Sequence, residues 1–248
     1  MKGKVETQLL EALNSRRALF FNLLDPDSAS PESIIAAGRL AAAHGADALL
    51  LGGSFIGNPN FSAIAKELKS TGKPIILFPG GSGHVTPGPE AILFTSLVSG
   101  RNPQYLIDEQ VKGAMMVKKL GIEAIPTAYL LVESGKTTAV EWISNTRPLP
   151  ADKPAIAAAH VLAAEMMGMR WAYLEAGSGA QNPVPLPIIA ASRALATATL
   201  IVGGGIRTPA QAAERVAAGA QAIVIGNHFE THADPALLAE FAAAIHGG

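Results

Sequence analysis

The chain has 248 residues, of which 49% are hydrophobic and 16% charged, and its formal net charge is −1. The high apolar fraction excludes a disordered chain, and the small net charge excludes recruitment of nucleic acid or a membrane surface by a general electrostatic field. No cysteine is present, which excludes disulfides and thiolate sites. No uncharged apolar run reaches about 18 residues and the first 17 positions carry several charges, so we expect a cytoplasmic protein without a membrane span or signal peptide.

Eight short apolar runs along the chain predict β-strands. Most are continuous rather than alternating, which is typical of parallel strands covered on both faces. The runs are 18–24, 47–51, 74–78, 91–97, 124–132, 171–175, 199–202 and 221–225.

Helical segments are predicted between most of these strands. Several begin with a capping residue followed by proline, since the capping side chain accepts a free amide and proline fits the first helical position. The capping residues are Ser30, Asn58, Asn102, Thr208 and Asp234. In the helix after Asn102, an apolar stripe at helical spacing predicts the face that packs on the sheet, namely Ile107, Val111, Ala114 and Met115.

Eight strands alternating with helices predict a single (β/α)8 TIM-type barrel over residues 1–248. A doubly wound open sheet is the alternative. Residues 79–90 contain four glycines and three prolines, so the barrel would be modified, with its third helix replaced by a Gly/Pro-rich loop. A short extra strand is predicted at 137–142.

The segments after the seventh and eighth strands predict a phosphate site. Gly203, Gly204 and Gly205 let backbone amides approach an anion, and the helix that follows directs its positive end to the same place. Gly226 and Asn227 follow the eighth strand, and these two loops are where this fold binds phosphate. The alternative is that the glycines only form tight turns. Arg207 is either an additional positive charge for the anion or a solvated residue.

The sixth strand ends in a carboxylate with a catalytic or a structural role. Tyr173 and Glu175 are two residues apart and share one face of the strand, either the lumen or the helix layer. A lumenal carboxylate is costly unless it meets a ligand hydroxyl or a cation. Glu175 could therefore bind a polyol and accept its proton, with Gly177, Ser178 and Gly179 as further donors. The alternative is a structural ion pair.

The motifs after the first three strands are less specific. Asp25 and Ser54 provide oxygen ligands of the kind that Mg²⁺ shares with substrate phosphates, although Asp-Pro is also a common turn. The glycines at 80, 81 and 83 are either an anion nest or a flexible lid. A loop histidine without an identified partner is more often a solvent-exposed bystander with no catalytic role than a base, and we interpret His84 in this way.

Taken together, these motifs resemble the geranylgeranylglyceryl phosphate synthase family. The resemblance extends in order over nearly the whole chain and rests on LLDPD (23–27), LLLGGS (49–54), LFPGG (77–81), YLEAGSGA (173–180), VGGGIRTPAQA (202–212) and VIGN (224–227). The family is a modified barrel whose third helix is replaced, as the gap at 79–90 also indicates. The chain looks more like the family's second major group, which is related to bacterial heptaprenylglyceryl phosphate synthases.

The resemblance implies a prenyltransferase that joins an isoprenoid diphosphate, usually geranylgeranyl diphosphate, to the 3-hydroxyl of sn-glycerol 1-phosphate. It implies that Mg²⁺ is held by Asp25 and Ser54, and that Glu175 orients and deprotonates the hydroxyl. The implied glycerol phosphate site consists of Tyr173, Leu174, Glu175, Ala176, Gly177, Ser178, Gly179, Gly204, Gly205, Gly226 and Asn227. A homo-oligomer is also implied, with at most transient contact with a membrane surface.

Two details of the resemblance matter for the isoprenoid substrate. Some family members carry a lysine two residues before the aspartate, where this chain has Leu23. The isoprenoid tail needs an apolar wall, for which Tyr129, Trp142, Tyr105 and Leu106 are candidates.

Two other classes of function remain as alternatives. A phosphate-binding barrel isomerase or lyase acting on a sugar phosphate would share the same loops, but it normally needs a second acid or base, and the fifth strand ends in Leu131, Val132 and Glu133. A non-catalytic phosphate binder would leave Asp25 and Glu175 without a role.

Overall fold

The computed structural model describes residues 3–226 and 234–247. In this part of the chain eight parallel strands close into a barrel in which each strand pairs with the next and β1 pairs with β8. The strands are β1 (Leu19–Leu24), β2 (Ala48–Gly52), β3 (Ile75–Phe78), β4 (Ala91–Leu97), β5 (Glu123–Leu131), β6 (Trp171–Glu175), β7 (Thr199–Gly203) and β8 (Ala222–Ile225). The predicted (β/α)8 barrel is confirmed, and the open-sheet alternative is wrong.

Helices connect most of the strands on the outside of the barrel. Three of the predicted caps form as expected: Ser30, Thr208 and Asp234 each accept a backbone amide of the helix that follows. The α-helices are α1 (Lys4–Asn14), α2 (Pro31–Ala43), α3 (Phe61–Leu68), α4 (Glu109–Leu120), α5 (Ala139–Ser144), α6 (Pro154–Met166), α7 (Leu186–Leu195), α8 (Pro209–Ala217) and α9 (Pro235–His246).

The connection between β3 and β4 has no α-helix, as the sequence predicts. Its only helical turn is a short 3-10 turn at Ser82–His84. As a loop, this connection contacts the helices on either side of it: Gly88 borders Ala65 of α3, and Ser82 and Val85 border Gly113 of α4.

The extra strand predicted at 137–142 is wrong, because this segment forms the short helix α5 instead. Thr138 has an extended backbone at the helix start, and Asn145 ends the helix in the left-handed region. A six-residue segment has too little periodicity to separate the two structures by pattern alone.

The predicted packing face of α4 is also wrong. The chain after Asn102 first forms a π-helical turn, Gln104–Asp108. Helix α4 then buries Gly113 against the β3–β4 connection and Val117 in the core between strands and helices. The apolar stripe faces solvent instead, with Val111 66% and Met115 78% exposed. An amphipathic pattern identifies an apolar face, but it does not say what that face covers.

Alternate side chains of each strand belong to two separate cores, as the period of two requires. On β6, Trp171 and Tyr173 lie in the barrel interior, whereas Ala172 and Leu174 pack in the layer between strands and helices. On β1, Phe21 points inward.

Helix α1 covers the amino-terminal end of the barrel. Val5 and Leu9 join the interior core. The buried Glu6 carboxylate accepts two hydrogen bonds from Arg170, at 2.8 and 2.6 Å, and one from the Trp171 indole at 3.0 Å. The carboxyl-terminal end is left as the open face of the lumen.

Candidate functional site

An open cavity lies at the carboxyl ends of the strands, where this fold places its chemistry. It brings together most of the residues that the sequence singled out: Asp25, Ser54, Tyr173, Glu175, Ser178, Gly179, Gly204, Gly205 and Gly226. They follow five different strands, so only closure of the barrel makes them neighbours.

Glu175 is the buried carboxylate of this cavity. It follows Tyr173 by two residues on β6 and therefore points into the lumen, which decides between the two faces that the sequence left open. Its Oε1 accepts the Gly177 amide at 2.6 Å, and the side chain has no ion-pair partner among the described residues. Burial raises the pKa of Glu175, opposed in part by the nearby Tyr173 hydroxyl and the Gly177 amide. The structural ion pair is thus not observed, and the group suits a base.

Three aromatic rings line the lumenal part of the cavity. Phe78 stacks on Tyr173 with ring centroids 5.4 Å apart, and Tyr129 meets both rings edge to face at 5.7 and 5.4 Å. Burial, and then the Glu175 charge, raise the pKa of both tyrosines well above the usual range. Both tyrosines are therefore neutral hydroxyl groups at physiological pH.

The loop after β7 has the backbone geometry of an anion cradle. Gly204 and Gly205 have φ of 81° and 70°, a region that residues with a Cβ avoid. A Cβ on Gly204 would lie 2.7 Å from the Gly177 nitrogen and would also collide with the Glu175 carboxylate. Neither Gly204 nor Gly205 donates its amide to an acceptor in the described part of the chain. Two amides without an acceptor in the described part of the chain thus border a cavity large enough for a phosphate group.

Asp25 lies at the other side of the cavity, half-buried at the end of β1. Its Oδ1 accepts the Asp27 amide at 2.9 Å. Burial raises the pKa of the Asp25 carboxyl, the Asp27 amide lowers it and the Asp27 charge raises it. A Cβ on Gly53 would stand 3.3 Å from Asp25 Oδ2, so this carboxylate borders the loop that carries Ser54. The hard oxygen donors on these two loops fit Mg²⁺, which takes few protein ligands and shares phosphates and waters.

Protein ligands alone do not make a metal cage here. Over residues 3–226 and 234–247, no group of three or more His, Asp or Glu side chains is arranged to hold a metal ion. A cation at Asp25 would therefore need oxygen atoms from a substrate.

Two residues of the predicted set can contribute only main-chain atoms. The side chains of Leu174 and Ala176 pack in the outer core, away from the cavity. Both residues were predicted as part of one continuous motif. Because side chains alternate between the two faces of a strand, every second residue of that motif points away from the cavity. The predicted Asn227 lies outside the described residues.

Arg207 and His84 are both anchored by hydrogen bonds. Arg207 is the one cation among the described residues that line the cavity, and it donates to the carbonyls of Ala180 and Gln181 at 2.6 and 3.1 Å. It thus joins the loop after β6 to the loop after β7. His84 is half-buried and its Nδ1 accepts the Gly80 amide at 3.0 Å, so the interpretation as a solvent-exposed bystander is wrong.

A second, mostly apolar cavity continues from the first, and we call it the apolar groove. The two cavities share Gly53, Ser54, Phe78, Tyr129 and Val140. The groove encloses about 790 Å³ including its open mouth, and its other walls include Val85, Ile92, Phe94, Leu97, Tyr105 and Ile143.

The prediction of the groove residues was partly wrong. Tyr129 and Tyr105 line it, but Leu106 does not, and Trp142 is 81% exposed on the outer side of α5. Phe94 and Val85 could not be predicted as groove residues, because a wall built from a strand and a loop has no common period. Glu133 is exposed and outside both cavities, so the fifth strand supplies no second acid or base there.

No helix in the described ranges is long and apolar enough to cross a bilayer.

The fold and the site define a class of protein: a phosphate-binding (β/α)8 barrel with a lumenal carboxylate beside an apolar groove. Within this class the chain belongs to the PcrB family, whose model matches residues 12–244.

Individual relatives agree over most of the chain. It is 46% identical over 230 residues to a geranylgeranylglyceryl phosphate synthase of Thermococcus gammatolerans, covering 92% of this chain and 90% of that protein. It is 44% identical over 221 residues to one of Korarchaeum cryptofilum, covering 89% and 91%. The crystal structure of (S)-3-O-geranylgeranylglyceryl phosphate synthase from Thermoplasma acidophilum in complex with its substrate sn-glycerol-1-phosphate matches with a TM-score of 0.92 at 29% identity, covering 100% of both chains.

Proposed function

We propose that this protein transfers an isoprenoid group, geranylgeranyl in the first instance, from its diphosphate to the 3-hydroxyl of sn-glycerol 1-phosphate. One observation carries the proposal: the polar cavity with Glu175 and the glycine amides opens directly into the apolar groove. A sugar phosphate enzyme has no use for such a groove. The relatives named geranylgeranylglyceryl phosphate synthase, and the related barrel solved with sn-glycerol-1-phosphate, support this assignment.

The acceptor would lie with its phosphate against Gly204, Gly205 and Gly226, which line the cavity. A hydroxyl of the glycerol would then reach Glu175, whose orientation is fixed by the Gly177 amide. The glycerol oxygen bonds to C1 of the isoprenoid as the C1–oxygen bond to diphosphate breaks, and the hydroxyl proton passes to Glu175. Because burial raises the pKa of Glu175, the carboxylate is a stronger base than a solvated one.

Mg²⁺ is the proposed cofactor, with Asp25 and Ser54 as the protein groups that would hold it. When bound, it neutralises the charge that develops on departing diphosphate. Leu23 lines the cavity and provides no charge, so no side-chain cation at that position would contribute to binding the diphosphate.

The acceptor and donor sites differ in the specificity they can impose. A pocket that pairs polar groups with each glycerol hydroxyl rejects the wrong enantiomer strongly, because buried groups are then left unpaired. An apolar groove discriminates chain length by smaller steps per methylene. We therefore propose strict selection of the glycerol phosphate and a more graded choice of isoprenoid.

The site of action and the assembly are part of the proposal. We propose that the protein acts in the cytoplasm on a lipid substrate, with at most transient contact with a membrane surface. The exposed apolar side chains of α4 and Trp142 on α5 support a homo-oligomer.

The decisive experiment is incubation with Mg²⁺, each enantiomer of glycerol phosphate and isoprenoid diphosphates of increasing length, followed by mass analysis of the lipid product. We expect an ether of sn-glycerol 1-phosphate and far less product from the other enantiomer. Absence of ether with every combination would reject the function. Turnover of a sugar phosphate under the same conditions would favour the isomerase or lyase instead.

A further inference from the structure

We propose that Glu109 is a positioning residue that fixes the apolar groove by latching the β3–β4 loop onto α4, and that it thereby controls use of the isoprenoid substrate. The inference rests on the proposed function for its substrate, but the latch itself is a property of the fold.

The β3–β4 loop needs such a latch because it has replaced a helix. Within residues 79–90 the loop makes few hydrogen bonds of its own: Gly80 to His84, and two backbone bonds that close the turn at Ser82–His84. A loop rich in glycine and proline has no ladder to hold its shape. Yet Pro79, Gly80, Gly81, Ser82 and Val85 all line the apolar groove.

Glu109 supplies the missing contacts from the first turn of α4. Its Oε2 accepts both the amide and the hydroxyl of Ser82, each at 2.7 Å. Its Oε1 accepts Gln104 at 3.3 Å and Lys112 at 3.2 Å. A carboxylate has about four lone-pair sites, so this one is fully used.

The charge state of the latch agrees with this geometry. The Ser82 amide, followed by the side chains of Ser82, Lys112 and Gln104, lowers the pKa of Glu109 to about 2 against the opposing effect of burial. Glu109 is thus ionised at any physiological pH, and its bonds are of the stronger, charge-assisted kind.

The latch is connected to the polar cavity through Gly80. A Cβ at Gly80 would lie 2.6 Å from the carbonyl oxygens of both Gly53 and Ser54, so the loop rests directly on the segment that carries Ser54. Glu109 itself lines the groove. Its oxygens are turned to Ser82, Gln104 and Lys112, so an isoprenoid tail meets a satisfied group rather than a bare charge.

The test compares Glu109→Ala, Glu109→Gln and Ser82→Ala with the wild-type protein. Glu32→Ala is the matched control, because Glu32 is also a first-turn glutamate but belongs to α2 and is exposed. Steady-state kinetics would be measured with geranylgeranyl diphosphate and with dimethylallyl diphosphate, and amide hydrogen exchange would be followed at 79–86. Ser82→Ala and Glu109→Gln keep the test valid if Glu109→Ala fails to fold.

We expect Glu109→Ala to raise the KM for geranylgeranyl diphosphate about tenfold, the equivalent of one or two lost charge-assisted hydrogen bonds. Glu109→Gln and Ser82→Ala should have smaller effects, and Glu32→Ala none. The increase in KM should be smaller with dimethylallyl diphosphate, because its short chain contacts little of the groove. The KM for glycerol phosphate should change by less than about twofold. Exchange at 79–86 should accelerate in the Glu109 variants.

Equal increases in KM for both isoprenoid diphosphates and for glycerol phosphate would overturn the positioning role, since they would indicate that the whole fold is disturbed. Unchanged exchange at 79–86 would overturn the latch. If the wild-type protein made no ether lipid, the proposed function would fail, and the exchange experiment would still decide whether Glu109 holds the loop.

Discussion

At the scale of single residues, the proposed chemistry depends on Glu175, a carboxylate with one amide donor and a neighbouring neutral tyrosine. Glu175→Gln keeps the shape and removes the base, so we expect turnover to fall by about two to four orders of magnitude. Glycerol phosphate should still bind, as calorimetry would show. Undiminished turnover would eliminate Glu175 as the base.

The same residue predicts a pH dependence. The pKa of Glu175 is raised by burial above its ordinary value of 4.5, and the proton acceptor is the ionised form. Activity is therefore present above the raised pKa and lost as the pH falls through it. A profile of kcat/KM should show its acid limb above pH 4.5, and that limb should be absent from the residual activity of Glu175→Gln.

Asp25 carries the proposed metal role. Asp25→Asn preserves the oxygen that accepts the Asp27 amide but removes the charge. We expect the Mg²⁺ concentration for half-maximal activity to rise about tenfold or more. Asp27→Asn is the control, because Asp27 Oδ2 already accepts the Gly57 amide at 2.6 Å. An unchanged Mg²⁺ titration for Asp25→Asn would contradict the role.

At the scale of elements, the strands form the barrel and the loops after them carry the proposed binding groups. The loop after β7 is the clearest case, because its amides are available only while Gly204 keeps a positive φ and an open Cα. Gly204→Ala should weaken glycerol phosphate binding by at least about tenfold, since the new methyl group would collide with Glu175 and the Gly177 amide.

Gly72→Ala is the matched control for that prediction. Gly72 also has a positive φ, of 71°, but a Cβ there would meet nothing within 4 Å. It should cost about 1 kcal/mol of stability and leave glycerol phosphate affinity unchanged. Equal affinity in both variants would show that the loop after β7 does not hold the phosphate.

At the scale of the whole molecule, the two ends of the barrel have separate tasks. Helix α1 covers the amino-terminal end through Glu6, whose carboxylate has 0% exposure and holds Arg170 and Trp171. Glu6→Ala should lower the free energy of unfolding by about 1–3 kcal/mol, because it leaves the buried Trp171 indole and the partly exposed Arg170 guanidinium without their acceptor.

An exposed ion pair provides the contrast. Arg39 and Glu67 meet at 3.4 Å with side chains 53% and 62% exposed. Glu67→Ala should change stability by less than about 1 kcal/mol. Thermal unfolding would check both variants, and glycerol phosphate binding to folded Glu6→Ala at low temperature should be normal. Loss of binding in that variant would show that the two ends of the barrel are coupled.

The sequence by itself determined the architecture and the strand-end motifs. The signals used were local: continuous apolar runs, capping residues before proline, and glycine-rich segments. Such signals depend only on neighbouring residues and can be read without knowing the fold. Tyr173 and Glu175 could be placed on one face because a strand has a period of two. The same local reasoning misassigned 137–142 and the packing face of α4, where a short or amphipathic pattern is compatible with two environments.

Only the tertiary structure decided what depends on closure of the barrel. It turned Glu175 inward, placed Asp25 beside the Ser54 loop, and built the apolar groove from Phe94 on a strand, Val85 on a loop and Ile143 on a helix. It also revealed the contact of Glu109 with Ser82, which are 27 residues apart. No local sequence pattern reveals such contacts, because they depend on the register and curvature of all eight strands in the closed barrel.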